Sequence, residues 1–408
     1  MRYQALSEAR AGAIWRRPET LLVLMAIAMP LSFSVWSALL NNFVIDVANF
    51  DGADIGWLHT VREIPGLLAV VVIAIIIVVR EQVLALLMLV LLGVATALTA
   101  YFPTIGGIMT ITLLSSIGFH YYETANQSLQ LQWLDKARAP QVLGWLLAAG
   151  SAATLVAYGA IVLTWEALGL SYATVYVGAG AVTVAIALYC FVAFPQIEAP
   201  VPQRKQMILR RRYWLYYALE FMAGARRQIF VVFAGFMMVE KFGFQVHEIT
   251  ALYLINLVIN MVVAPLLGRA VGYFGERNTL SFEYAGLALV FLAYGGLYYF
   301  SWGVAVAAFL YVVDHIFFGL ALAKKTYFQK IADGADIAPT AAVSFTINHI
   351  AAVFLPALLG YLWLASPQSV FFLAAGMALI SLILSLLIPR HPGPGNETIL
   401  TPRALPAE

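Results

Sequence analysis

Charge is scarce in this chain. Asp, Glu, Lys and Arg make up 11% of its 408 residues, against roughly 25% in a soluble domain. That scarcity excludes a water-facing surface of ordinary composition, and nothing in the pattern points to nucleic acid. Cysteine is nearly missing: the single Cys190 rules out an intrachain disulfide and any cluster of cysteine metal ligands. No Gly-x-x-x-x-Gly-Lys loop is present to cradle phosphates, so direct coupling to ATP is not expected. A dinucleotide fingerprint and a metal-spaced His/Cys set are also lacking, and neither a cofactor nor a metal is expected.

What is there is apolar: 62% of the residues are hydrophobic. A water-soluble fold of this size has nowhere to hide that much apolar surface, so the solvent is mostly lipid. There, backbone polar groups are satisfied within helices or closed barrels. The runs decide between the two. Ala69 to Val79 holds no polar residue and Val83 to Tyr101 nearly none, whereas barrel strands alternate over about ten residues. The reading is an all-α membrane protein with twelve spans near 20–43, 54–79, 83–101, 105–134, 140–165, 171–194, 213–240, 247–268, 278–300, 303–331, 337–364 and 368–389. The polar first nineteen residues lead into a full-length span with no small-residue cleavage pattern, so this span is read as retained.

The longest connection, 195–212, carries Pro195, Pro200, Pro202 and the basic residues Arg204, Lys205, Arg210, Arg211 and Arg212. It is expected to link an N-terminal six-helix bundle, 1–194, to a C-terminal one, 213–390, followed by a disordered tail, 391–408. With both termini cytoplasmic, seventeen of the 23 Lys and Arg fall on that side, among them Lys136, Arg138 and Arg403. One, Lys241, falls on the other side and five lie within helices. One helix more or fewer would flip every later loop and scramble this segregation. A faint repeat agrees. Asp54-Ile55 with Leu58 recurs 194 residues later as Glu248-Ile249 with Leu252, and Ala139-Pro140 recurs 199 residues later as Ala338-Pro339.

Twelve spans, a six-plus-six split, a basic central loop and inside termini together resemble the major facilitator superfamily (MFS) over about residues 20–389. The loop Gly268-Arg269-Ala270-Val271-Gly272-Tyr273-Phe274-Gly275-Glu276-Arg277 is similar to that family's loop signature at Gly268, Gly275 and Arg277. It departs from the signature at Gly272, where an acid is expected, and at Tyr273, where a base is. The matching loop after the second helix, Val78 to Gln82, lacks the glycines, and the fifth helix lacks the Gly-Pro pair of drug antiporters. Pro356 and Gly360 in the eleventh helix have a spacing common in the family. The resemblance implies two bundles rocking about a central site near the midplane, with Gly268, Gly275 and Arg277 in a gating role.

Ionisable residues inside spans cost roughly 2.5–3.5 kcal/mol each on insertion scales, so they are the main functional clues. Arg226 and Arg227 lie mid-span in the seventh helix, two turns from Glu220. Paired guanidinium groups suit a carboxylate or phosphate; the alternative is an internal ion pair with Glu220, Asp314 or Glu63. In the fourth helix His120, Glu123, Gln127 and Gln130 form one stripe beside Asn126. The tenth helix holds Asp314 and His315 at mid-depth, with Lys324 and Lys325 placed to snorkel. Arg62 and Glu63 point about 100° apart and are expected to pair with neighbours. Asn348 and His349 lie in the eleventh helix.

The substrate-binding set is therefore Arg226, Arg227, His120, Glu123, Asn126, Gln127 and Asn348. The proton-coupling set is Glu123, Glu220, Asp314, His315 and His349. The expected function is a secondary active transporter, not an enzyme, moving a small organic anion across the inner (cytoplasmic) membrane by alternating access. It would couple to protons or another ion, as a monomer in the lipid bilayer. An exporter of drugs or metabolites, and more distantly a polytopic membrane enzyme or sensor, are the alternatives.

Overall fold

A computed structural model describes residues 3–69, 71–134, 139–198, 209–333 and 336–400. Lys136, Arg138, Arg204, Lys205 and Arg403, with 199–208 of the expected linker and 401–408 of the expected tail, lie outside the described residues. In chain order the long helices open with α1 (Pro18–Asp46), α2 (Gly52–Leu67), α3 (Val71–Val78) and α4 (Glu81–Leu98). Next come α5 (Ile105–Trp133), α6 (Ala139–Thr164), α7 (Tyr172–Ala193) and α8 (Trp214–Gln228). A π-wound stretch, Ile229–Ala234, joins α8 to α9 (Gly235–Glu240). The rest are α10 (Val246–Gly296), α11 (Val304–Gly319), α12 (Leu322–Ile331), α13 (Ile337–Ala365) and α14 (Pro367–Leu386).

Ten stretches among the described residues are long and apolar enough to cross a bilayer. The two other expected spans complete the twelve-helix architecture. One is α5, which is long enough but carries the polar stripe. The other is α2 with α3, which is broken after Leu67, where Pro65 and Gly66 weaken the winding. The tenth span is likewise interrupted between Gly319 and Leu322. The expected loop 269–277 is almost absent. Helix α10 continues through Arg269 to Phe274, and a single residue, Gly275 at φ 75° and ψ 164°, breaks it. A positive φ is tolerated there because glycine has no Cβ.

The chain divides into two compact units. The first is Met1–Phe50, Val61–Arg204 and Phe244–Leu254; the second is Asp51–Thr60, Lys205–Gly243 and Ile255–Glu408. In the first, Leu21, Met25, Leu86, Leu89, Tyr122, Trp133 and Cys190 form a continuous core. Where hydrocarbon solvates both sides of an interface, small residues and side-chain hydrogen bonds hold helices together. Accordingly, α4 and α7 touch at Gly93 and Gly180 so closely that a methyl on Gly180 would sit 2.2 Å from the Gly93 carbonyl oxygen. Ser32 donates to Thr183 at 2.8 Å, and Thr183 donates onward to the Ala28 carbonyl at 3.0 Å. The chain start is anchored: β1 (Tyr3–Ala5) pairs in parallel with β2 (Gln196–Glu198) at the head of the expected linker.

In the second unit, Leu215, Tyr216, Leu219, Leu280, Tyr284, Tyr327 and Ile388 are packed together. The first turns of α2 lie on α13, with Gly56 against the Pro356 carbonyl and Gly360 against the Gly52 carbonyl. The Thr60 hydroxyl accepts from the Ala357 amide at 3.2 Å and donates to the Val353 carbonyl at 2.7 Å. It thereby fills the gap in the helical ladder next to Pro356. Residues 391–400 differ from the expected disordered tail. Tyr327 donates to the Glu397 carbonyl at 2.6 Å, Ile399 to the Leu387 carbonyl at 2.9 Å, and Glu397 and Thr398 are buried. Nearby, buried Asp336 accepts from Arg210 at 2.7 and 2.9 Å and from Tyr213 at 3.0 Å. The Arg210 guanidinium holds this carboxyl below the ordinary carboxylate range.

Candidate functional site

Helix α8 carries its two adjacent arginines in opposite circumstances. Arg226 is 2% exposed. Its Nη2 lies 3.2 Å from Glu283 Oε1 in α10, its Nη1 donates to Ser381 Oγ in α14 at 3.3 Å, and its guanidinium sits 4.7 Å over the Tyr284 ring. One side chain thus ties three helices together in the second unit. The partner is neither Glu220, Asp314 nor Glu63 but Glu283, a carboxylate that is itself fully buried. Sequence reading passed over Glu283 although it lies inside the expected span 278–300, and an acid in that apolar run was the available signal.

Arg227 lies on the half-buried side of the same helix. Its Nη2 donates to Asn348 Oδ1 at 3.2 Å, and Asn348 Nδ2 donates to the Glu220 carbonyl oxygen at 3.3 Å. The carboxamide therefore spans two turns of α8 and fixes the guanidinium from α13. Gly224 makes this possible, since a methyl there would lie 2.5 Å from the Asn348 backbone oxygen. Gly224→Ala is expected to push α8 and α13 apart at a cost of about 1–3 kcal/mol, read as a fall in the midpoint of thermal unfolding of the detergent-purified protein. The Glu220 carboxylate pairs with Lys324 at 3.2 Å. Lys324 is buried, so the expected snorkelling is replaced by an ion pair that binds α12 to α8.

Asp314 is 1% exposed, and its Oδ2 has no hydrogen-bond partner among the described residues. The next residue, His315, is half-buried and lies 6.3 Å, ring to ring, from Phe230. His349 Nδ1 meets the Phe345 carbonyl at 2.8 Å, with the two rings 4.1 Å apart. The second unit therefore gathers Arg226, Arg227, Glu220, Asp314, His315, Asn348 and His349 on α8, α11 and α13.

The α5 stripe belongs to the first unit. His120 Nδ1 is 3.0 Å from Ser116 Oγ and 3.1 Å from the Ser116 carbonyl, and its imidazole lies within 4.8 Å of the Glu63 carboxylate. Glu63 pairs with its neighbour Arg62, whose guanidinium sits 5.8 Å over Trp36. The two residues that sequence spacing pointed apart thus reach each other. Glu123 is half-buried, Gln127 exposed and Asn126 buried. Of the gating set, Gly275 is the helix break, Gly268 lies exposed within α10 with open space around it, and Arg277 is half-buried. The neighbouring Glu276, buried, takes Lys330 at 2.7 Å.

A family model described as Major Facilitator Superfamily matches residues 21–347. Among solved structures, a mutant of the nucleoside transporter NupG superposes with a TM-score of 0.73 at 14% identity, covering 91% of this chain and 99% of its own. Unmutated NupG gives 0.71 at 15%, covering 90% and 98%. A bacterial homolog of the human lysosomal transporter Spinster, inward-facing and occupied, gives 0.70 at 12%, covering 97% and 100%. At these identities the likeness shows the fold alone. No curated protein matches the chain.

Proposed function

This chain belongs to the Major Facilitator Superfamily and is a secondary transporter of a small solute, and from that premise we propose that the solute is an organic anion whose movement is coupled to protons. The supporting observation is the contrast between the two arginines: Arg226 is sealed against Glu283, whereas Arg227 stands half-buried with a neutral carboxamide orienting it. A guanidinium held this way offers a planar donor fork to a carboxylate. Arg226 becomes a positioning residue that fixes α8, Arg227 and Asn348 are the proposed solute-binding residues of the second unit, and His120, Glu123, Asn126 and Gln127 on α5 are those of the first.

Asp314 is the proposed proton carrier in the second unit, since gain or loss of one proton at a buried carboxyl changes the local charge where little else can move. Glu123, Glu220, His315 and His349 complete the coupling set. Helix halves 1–194 and 213–390, joined by 195–212, would alternate access across the inner membrane with both termini cytoplasmic, and Gly268, Gly275 and Arg277 would serve the rearrangement.

Purified protein in liposomes, supplied with labelled small carboxylates and an imposed pH gradient, tests this. Uptake is expected to rise several-fold with the gradient, to fall about 10-fold or more in Arg227→Gln, as for loss of a charge-assisted bond, and to lose gradient dependence in Asp314→Asn. Uptake indifferent to both the gradient and Arg227→Gln would overturn the reading.

A further inference from the structure

We propose that the anionic group is carried on a flat ring, which lies along a wall formed by Phe230 and His315; this rests on Arg227 being the anion anchor. Phe230 follows Arg227 by three residues, the spacing of neighbours on one side of a helix. Between them, at Ile229, the winding loosens into the π stretch Ile229–Ala234. Such stretches are rare overall but frequent at functional sites.

Phe230 meets α11 through two side chains one turn apart. Its ring centroid is 4.8 Å from Tyr311, tilted by 36°, and 6.3 Å from His315, tilted by 42°. Tyr311 is 4% exposed and forms the back of the cluster, while Phe230 and His315 remain half-buried. Phe230 and His315 thus each leave part of a ring uncovered, Phe230 about one helical turn from Arg227.

A solute with its carboxylate on Arg227 and a planar ring against Phe230 uses both features. A saturated ring of the same size keeps the ionic contact but loses the face-to-face fit. Offset stacking of this kind corresponds to about a 2- to 10-fold gain in affinity.

Equilibrium binding to the purified full chain, using benzoate and cyclohexanecarboxylate as probes, separates the possibilities. Benzoate is expected to bind about fivefold more tightly, and Phe230→Leu to bring the ratio close to one while carboxylate binding persists. His315→Leu, on the other helix, is expected to lower the ratio as well, and Phe230→Tyr to preserve it. Equal affinity for the two acids in the wild type, or a ratio unchanged by both Phe230→Leu and His315→Leu, overturns the ring preference and leaves the anion reading intact. Binding of neither acid overturns both.

Discussion

Arg226→Met is expected to lose about 3–5 kcal/mol of stability, the cost of leaving one member of a buried ion pair without its partner. Glu283 would remain fully buried between α8 and α10 with its counter-charge removed, and the tie to Ser381 in α14 would go with it. Replacing both members, as Arg226→Met with Glu283→Leu, is expected to restore most of that loss, because apolar residues of similar volume often substitute for a buried pair at little cost. Unfolding midpoints of the purified variants read this directly, and a single variant as stable as the wild type would refute it. The double variant also separates the roles of the neighbours. If it folds and still takes up carboxylate, Arg226 acts only by holding α8; if it folds and does not, Arg226 itself meets the solute.

Gly180→Val carries the second large expectation, a loss of about 3 kcal/mol, at the upper part of the range for overpacking. Even the first carbon of the new side chain would fall 2.2 Å from the Gly93 carbonyl oxygen and 2.7 Å from the Ala97 amide nitrogen. Both obstacles are backbone, so no rotamer change relieves them, and α4 and α7 must separate. The paired glycine offers no relief either, since a methyl on Gly93 would lie 2.8 Å from the Gly180 carbonyl oxygen. Gly159, with open space around it, is the control: Gly159→Ala is expected to leave the unfolding midpoint almost unchanged. A fall of similar size at both positions would show that loss of glycine, rather than close helix approach, is responsible.

The helical frame was legible because most spans are long and largely apolar, and such a run leaves its mark in local composition. The expected 105–134 and 337–364 differ by only one residue from Ile105–Trp133 and Ile337–Ala365. Breaks within spans were less legible. Pro65-Gly66 and Gly319 are visible in the sequence, but whether such residues interrupt a helix depends on what packs beside them.

Pairing was the least legible part. Glu283 and Arg226 are 57 positions apart, and Asn348 reaches the Glu220 carbonyl across 128. No periodicity links residues on different helices, so the sequence could nominate Arg226 and Arg227 together but could not tell which one pairs with Glu283. The segment 391–400 misled for a related reason. Its prolines and glycines read as unstructured, yet the Tyr327 hydroxyl and the Leu387 carbonyl supply hydrogen bonds that composition does not reveal.

The Thr60 hydroxyl next to Pro356 has one more effect. It serves an amide and a carbonyl of α13 at once, so lifting α2 from that spot breaks both bonds together and leaves the Ala357 amide and the Val353 carbonyl, four residues apart, to close on each other along the helix. Partial separation saves nothing, because both bonds pass through one oxygen atom. The contact should therefore behave as a detent: it resists small displacements, and once passed it lets α13 straighten or bend about its proline as a single articulated rod.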